Sequence, residues 1–572
     1  MRTTTRALLL AAAAVGGPLT MVGVSGAATP GVATAPGRVV IALNGGLIDE
    51  TDSSGGSGGP AVALPDGGIV AVGTGPAGVA RVIELTAGGA PDPSFGAGGV
   101  VTIMPAFPAF GVEEIVREPD GKLVLLGTGG AVGGFQLPRL VAYRLNVDGT
   151  PDPSFGFGGV DPLPIEGNGL LAVTPGGGFV VGGETGQESP AITTNPLATP
   201  ETQWVVAELT SNGALDPGFG TGGIATVAGN GAFEMGVAVL PNGDVVTEGD
   251  APVGPGRSVT ELTRLLPTGA PDPAFNGGTP QTLPAVGDGG LLAYPDGTAV
   301  VGVPHAIIRY TAAGLPDQSF GSGGVVQTGP PNTDPPSGIL PAAGDGALLV
   351  VEGGDEYALG HDRAERILGN GTFDPTLGGA GGLAFTTPFG GGSSGLLTTL
   401  HPQPLGPLDQ NDFSGSVIQR PDGSFVVVGG VAVSQPTGEG TGRSIDEFAA
   451  IGLTPTFGLD TAFGGPATAL RAAVVVLYQR AATARRRHGI RVTLNVSAPG
   501  LARVVIKAAG RVVAQSLLPV LAPGRTILPV ELTSFGDGWL KSHPRGNLTV
   551  SLKARDLLTN TATATTGPVR LR

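Results

Sequence analysis

The chain contains no cysteine. That absence excludes a disulfide framework, thiolate metal sites and cysteine nucleophiles. Five histidines and two tryptophans among 572 residues leave little material for zinc or triad chemistry. Charged residues make up 13% of the chain, against about 25% in an ordinary globular protein. Aromatics are only 5%. Beyond the amino-terminal segment no run of about 18 apolar residues continues unbroken, so nothing else there has the length of a membrane-crossing helix. What is abundant is glycine, 102 residues, and proline, 52. Such a share points to collagen, low complexity or disorder. Glycine does not recur at every third position, and 41% of residues are hydrophobic, falling in short β-branched runs. The composition therefore predicts many short strands joined by many tight turns.

The first segment reads as an address. Arg2 and Arg6 precede an apolar run from Ala7 to Val15, broken at Gly16-Gly17-Pro18 and followed by the small residues Ser25-Gly26-Ala27. This is the layout of a secretory signal cleaved after Ala27. The mature chain is expected to be secreted or loosely envelope-associated, without a transmembrane span.

Two turn motifs alternate along the chain. The first reads GAPDPSFGAGGV from Gly89, GTPDPSFGFGGV from Gly149 and GALDPGFGTGGI from Gly213, with looser copies from Gly269, Gly314, Gly371 and Gly458. Its central aspartates are Asp92, Asp152, Asp216, Asp272, Asp317, Asp374 and Asp460, spaced by 60, 64, 56, 45, 57 and 86 residues. Six copies carry phenylalanine three positions later: Phe95, Phe155, Phe219, Phe275, Phe320 and Phe463. The second motif reads LPDGGIVAVG from Leu64, EPDGKLVLLG from Glu118 and RPDGSFVVVGG from Arg420, with further copies from Thr174, Leu240, Tyr294 and Ala343. An internal period of this size marks a solenoid, propeller or array.

The physics of one repeat is legible. In Pro-Asp-Gly between β-branched runs, proline presets φ, aspartate closes an Asx-turn and glycine takes φ > 0, giving a tight hairpin. The nearly continuous apolar runs that follow predict strands covered on both faces. A third run, such as Arg81 to Leu85 or Val141 to Leu145, alternates a charged residue with apolar ones, the pattern of a strand nearer solvent. The Gly-Gly-Val that ends the first motif opens a fourth strand, such as Val100 to Ile103. Four strands in about 60 residues make a propeller blade. Arg38 to Leu43 forms a lone strand before the first hairpin and can complete the ring. The expectation is an all-β, seven-bladed β-propeller over residues 28–465. The long last interval is expected to hold inserted loops at Asn411 to Ser416 and Gln435 to Arg443.

These motifs resemble the delta-60 repeat family of bacterial proteins over roughly residues 38–465, with the best copies at Asp92 and Asp152. The resemblance implies a β-propeller. It implies no catalytic residue, because the family has no established activity.

After Gly465 the charge reverses. Residues 466–572 hold 16 lysines and arginines and only three acids, Glu531, Asp537 and Asp556, a net of +13; the remainder carries −28. Six alternating runs, from Arg491 to Ala498 through Val569 to Arg572, suggest an immunoglobulin-like β-sandwich. This segment resembles the small sandwich modules that end many exported actinobacterial proteins. Ala481 to His488 reads as a short helical turn between strands.

Chemistry is sparse. Calcium needs several oxygen ligands on one ion, whereas each repeat turn offers one carboxylate. The reading preferred is that each aspartate caps its own turn and each phenylalanine packs between blades. No metal site, cofactor or catalytic residue is assigned. Asp409 to Asp412 is the best local acidic cluster. Gly391 to Gly395 matches G-x-S-x-G, but that motif needs a strand–helix elbow. His305, His361, His401, His488 and His543 are scattered. Nucleic acid is not an expected partner for an exported acidic chain poor in aromatics.

The reading is a secreted, non-catalytic propeller acting as a ligand or protein scaffold. The basic carboxy-terminal module would serve as spacer or adhere to anionic envelope polymer. The rivals are an extracellular propeller hydrolase or lyase with carboxylates in its channel, and a structural surface protein. Acids or histidines gathered from several blades would favour the enzyme.

Overall fold

Each Pro-Asp-Gly hairpin sets the direction of the sheet around it. A computed structural model describes residues 31–571 apart from 43–47, 50–57, 104–110, 130–138, 188–200, 285–289, 329–337, 342–347, 353–362, 376–382, 385–409, 436–442 and several shorter gaps. The signal-like segment, the Gly391 to Gly395 string, His361 and His401 lie outside the described residues.

At the first hairpin Gly67 takes φ 87°, the Leu64 carbonyl accepts from Gly67 N–H at 3.0 Å, and Asp66 Oδ1 accepts from Gly68 N–H at 3.0 Å. The turns at Asp120, Asp296 and Asp422 repeat the carboxylate bond at 2.9 to 3.1 Å. Each hairpin joins an inner strand to a second strand. A third strand then pairs with the second, and a short outer strand follows the Asp-Pro-x-Phe-Gly turn.

Four sheets have four strands, over residues 58–103, 233–282, 291–327 and 338–384. Residues 111–228 form one seven-stranded sheet, because Val160–Val173 runs on from outer strand of one repeat to inner strand of the next. The last sheet, 410–453, takes its outer strand from the amino terminus: Arg38–Ala42 pairs with Arg443–Leu453, and Gly31–Ala35 pairs beyond it. The lone strand thus fills the place expected of it.

The inner strands touch in a cycle. Gly58–Ala63 meets Gly111–Arg117, which meets Val160–Val173, then Phe233–Val239, Leu291–Ala293, Gly338–Pro341 and Gln410–Gln419, which returns to Gly58–Ala63. The apolar cores lie between successive sheets. One joins Val70, Val82 and Phe95 to Leu125 and Tyr143; another joins Val39, Ile41 and Phe463 to Ile69 and Leu85. The strands after the hairpins are buried on both faces, as their unbroken apolar runs require.

Two expectations fail. Asn411 to Ser416 are not an inserted loop: they lie within the inner strand Gln410–Gln419, where a register shift between Ser414 and Ser416 absorbs their polar sequence as a bulge. Gln435 and Arg443 end and begin paired strands, and the rest of the expected loop there, 436–442, lies outside the described residues. The expectation of a third strand nearer solvent fails at Arg144, only 4% exposed, whereas Arg81, Glu84 and Glu208 are half-buried.

Residues 472–571 form two further sheets. Ala472–Val476, Gly489–Val496 and Gly524–Glu531 make one. Arg511–Val520, Gly500–Ala508, Asn547–Asp556 and Thr561–Thr565 make the other, with Val569–Arg570 beside Asn547–Asp556. Val492, Leu494, Val504, Ile506, Val550 and Leu552 share one buried cluster, which also takes in Val427, Ala449 and Ile451 of the sheet 410–453. A helix covers Ala481–Arg486, where a helical turn was expected. A second helix, Ser534–Ser542, was not expected; its two glycines, Gly536 and Gly538, are poor helix formers. Thr533 caps it, its hydroxyl accepting from Gly536 N–H at 3.0 Å.

Candidate functional site

The repeat aspartates sit where the sequence put them, at tight turns. Asp92, Asp152, Asp216, Asp272, Asp317 and Asp460 each accept, through Oδ1, the N–H two residues on, at 2.8 to 3.1 Å. Phe95, Phe155, Phe219, Phe275, Phe320 and Phe463 are all buried. Each turn also bonds to the next. Gly96 N–H donates to Asp148 O, Gly156 to Asn212, Gly220 to Thr268, Asn276 to Ala313 and Gly321 to Asn370, all at 2.8 to 3.0 Å. Gly464 N–H then donates to Gly88 O at 2.8 Å, so the last turn links back to the first. The link after Asp374 lies outside the described residues.

Close approach makes the turn glycines necessary. Gly149 has φ 79°, and a Cβ there would lie 2.4 Å from Val101 Cγ2 and 3.1 Å from Phe95. Gly89 meets Phe463 in the same way across the closure.

A partner missed in the sequence is the residue eight positions before each aspartate. In four repeats it is arginine. Arg144 reaches Asp152 at 2.9 Å, Arg264 reaches Asp272 at 2.6 Å, Arg309 reaches Asp317 at 2.8 Å and Arg366 reaches Asp374 at 3.1 Å. In the last repeat that place is Gly452, and Arg420 of the hairpin substitutes, pairing with Asp460 at 2.9 Å. Arg144, Arg264, Arg309 and Arg420 also lie over Phe155, Phe275, Phe320 and Phe463 at 4.3 to 5.8 Å. Arg144, Arg309 and Arg420 donate onward to Ser211, Gly369 and Ala87 carbonyls of the following turn. In these five repeats the turn carboxylates are structural counter-ions. Their signal was a fixed eight-residue offset, hidden because repeats one and three carry Glu84 and Glu208 there.

The opposite ends of the sheets, remote from both turn types, carry a different chemistry. The inner strands bulge here, with register shifts at Val112/Glu114, Glu166/Leu170 and Glu234/Gly236. Glu113 turns out of the ladder. Its Oε1 accepts from Thr128 Oγ1 at 2.9 Å and its Oε2 accepts from Gly169 N–H of the adjoining inner strand at 2.6 Å. Glu166 lies opposite Glu184 in the next strand, and Glu184 lies opposite the buried Trp204. The bulge at Gly167 seats Glu184, whose Oε1 would lie 3.0 Å from a Cβ there. Asp250, in the next repeat, accepts from Thr260 Oγ1 at 2.5 Å.

Burial raises Glu113, Glu114 and Glu184. It pushes Glu114 up to about 7. Burial, then the charge of Glu166, pushes Glu184 up to about 7. Burial raises Glu113 against its two hydrogen bonds. Near neutrality such groups exchange between a protonated form that donates a hydrogen bond and an ionised form that only accepts, and a nearby cation favours the ionised form. Among the described residues no group of three or more metal-ligating side chains could hold one ion. Sequence reading missed this cluster because the acids come from strands that pair only in the fold. The side chains of Asn411 and Asp412 fall outside the described residues. His305 and His488 occupy positive-φ turns, and His543 stacks on Trp539 at 4.8 Å.

Residues 118–155, one hairpin and its following turn, match a β-propeller domain of unknown function (DUF5122). No curated protein matches the chain. Among solved structures it is similar to a lectin from Burkholderia pseudomallei, at 13% identity over 68% of this chain and 98% of that one, with TM-score 0.37. It is similar to virginiamycin B lyase from Staphylococcus aureus, at 12% identity over 57% and 86%, with TM-score 0.35. It is also similar to an aldose sugar dehydrogenase from Streptomyces coelicolor, at 16% identity over 59% and 91%, with TM-score 0.28. The chain is an all-β protein with a β-propeller fold.

Proposed function

We propose that this chain is an exported, non-catalytic binding scaffold: a seven-bladed propeller over residues 28–465 followed by an immunoglobulin-like sandwich over 466–572. The cycle of inner strands and the return bond from Gly464 to Gly88 support the blade count. The amino-terminal signal pattern supports export. The basic sandwich would hold the protein on anionic envelope polymer, and the propeller would present its acidic end to a cationic partner, an amine or a basic peptide segment.

The observation that carries the ligand reading is the set of acids Glu113, Glu114, Glu166 and Glu184, placed by three strands at one end of the seven-stranded sheet, where burial raises Glu113 and pushes Glu114 and Glu184 up to about 7. Binding of a cation would expel protons from these groups, so affinity should rise as pH climbs through about 7. Titration calorimetry with a lysine octapeptide at low salt tests this. Tighter binding at pH 8 than at pH 5.5, weakened by Glu184→Gln, is the expected result. Equal binding at both pH values, or indifference to Glu184→Gln, would sink it.

The enzyme reading draws on the same pair, since opposed carboxyls with one raised to about 7 suit general acid chemistry. Loss of turnover in Glu184→Gln, with unchanged binding of the octapeptide, would favour that reading.

A further inference from the structure

We infer that the outward face of the sheet built from Arg511–Val520, Gly500–Ala508, Asn547–Asp556 and Thr561–Thr565 is a docking surface for a linear polyanion that carries phosphate or carboxylate groups along its length. The inference rests on the adhesion reading of the carboxy-terminal module and assigns it to one face.

Alternation fixes which side chains point outward. Along Gly500–Ala508, Ala502, Val504, Ile506 and Ala508 are buried, leaving Arg503 and Lys507 exposed. Along Asn547–Asp556, Leu548, Val550, Leu552 and Ala554 are buried, leaving Thr549, Ser551 and Lys553 exposed. Register sets the two strands against each other: Arg503 lies opposite Lys553, Val505 opposite Ser551 and Lys507 opposite Thr549. The neighbouring strand continues the rows, with Thr563 opposite Lys553 and Thr565 opposite Ser551.

Arg503 and Lys553 are therefore like charges placed directly across a ladder, an arrangement that costs stability. Among the described side chains no acid on this face offsets it. Asp537 is bound bidentately by Arg485 at 3.0 Å on the two helices. Glu531 lies in the other sheet, opposite Gly489. No ion pair engages Arg503, Lys507 or Lys553 among the described residues. A sheet that tolerates an uncompensated pair on a rigid, apolar-backed face recovers the cost when an anion sits between the charges.

The spacing suits a chain-like partner. Rows along a strand lie about 7 Å apart, so Arg503 and Lys507 are separated by about 13 Å and Lys553 sits beside Arg503. On the side of Asn547–Asp556 the flanking positions are the hydroxyl residues Thr549, Ser551, Thr563 and Thr565, small enough to let a polymer lie flat. Counter-ion release would make the contact strongly salt-dependent.

The test uses the full chain and, as probes, long-chain polyphosphate and poly-glutamate. The double variant Arg503→Gln/Lys553→Gln is compared with Arg491→Gln/Arg525→Gln, which removes two exposed charges from the other sheet. At about 50 mM salt the first variant should lose roughly tenfold in affinity for polyphosphate and shed about two from the salt slope, the second less than about twofold. Equal losses in both variants would leave adhesion by net charge standing and overturn this face. No binding of either probe by the parent chain would overturn both. Sedimentation at low salt showing self-association that Arg503→Gln/Lys553→Gln abolishes would assign the face to an acidic propeller of a second copy, and would likewise overturn the polyanion.

Discussion

Repeats two and one hold the same turn by opposite electrostatics. In repeat two Arg144 is inserted among Asp152, Glu118 and Phe155, with Lys122 reaching Asp152 at 3.1 Å. Arg144, Asp152 and Glu118 are each no more than 5% exposed. Burial opposes ionisation of Asp152, but hydrogen bonds from Ser154 and Lys122 and the charge of Arg144 overcome it, and its pKa falls to about 2. In repeat one the arginine is replaced by Glu84. Burial first, then the charges of Asp92 and Asp66, push Glu84 up to about 7. Both turns close around a buried phenylalanine with the same backbone bonds. The backbone and the ring make the turn; the residue eight positions before the aspartate decides only how it responds to charge.

That comparison can be attacked in order of effect. Phe155→Ala should cost about 3–5 kcal/mol, because a fully buried ring is lost along with the arginine contact. Phe95→Ala should fall at the low end of the same range, measured by denaturant unfolding; a change below about 0.5 kcal/mol in either would show that the ring is not core between sheets. Arg144→Ala should cost about 3 kcal/mol, since it leaves Asp152 and Glu118 buried with only the partly exposed Lys122 as counter-charge. If it costs no more than an exposed arginine does, the ion pair is ornamental to repeat two.

Glu84→Gln should do the reverse and only weakly. A carboxyl raised in the fold binds more protons folded than unfolded, so its contribution falls as pH rises from about 4.5 to about 7 and is then spent. Glu84 is partly exposed, so the effect is discounted to about 1 kcal/mol or less. Glu84→Gln should stabilise at pH 8 and be silent at pH 4. Asp152 has the opposite sign: its stabilisation is present above its ordinary pKa of 3.8 and is lost as pH falls toward about 2. Stability curves of Glu84→Gln that run parallel to the parent at every pH would break the contrast.

The turns were legible because their chemistry is local. Asx closure at Asp92 and a left-handed glycine at Gly67 need only neighbours in sequence. Arg420 was not legible, because its partner Asp460 lies 40 residues on and Gly452 vacates the usual place. The helix Ser534–Ser542 was missed because two glycines mask a segment whose cap and packing stabilise it. The acid cluster was missed because Glu113 meets Gly169 across 56 residues.

The sequence by itself determined the alternation of two turns, the strands between them, the reversal of charge after Gly465 and the spare strand at Arg38–Ala42, because each follows from backbone stereochemistry and residue periodicity. Only the tertiary structure decided which acids share one end of the propeller, which arginine neutralises which turn and which sheet face is left basic. Those outcomes depend on register between strands far apart in the chain, and a single step in register exchanges every inward side chain for an outward one.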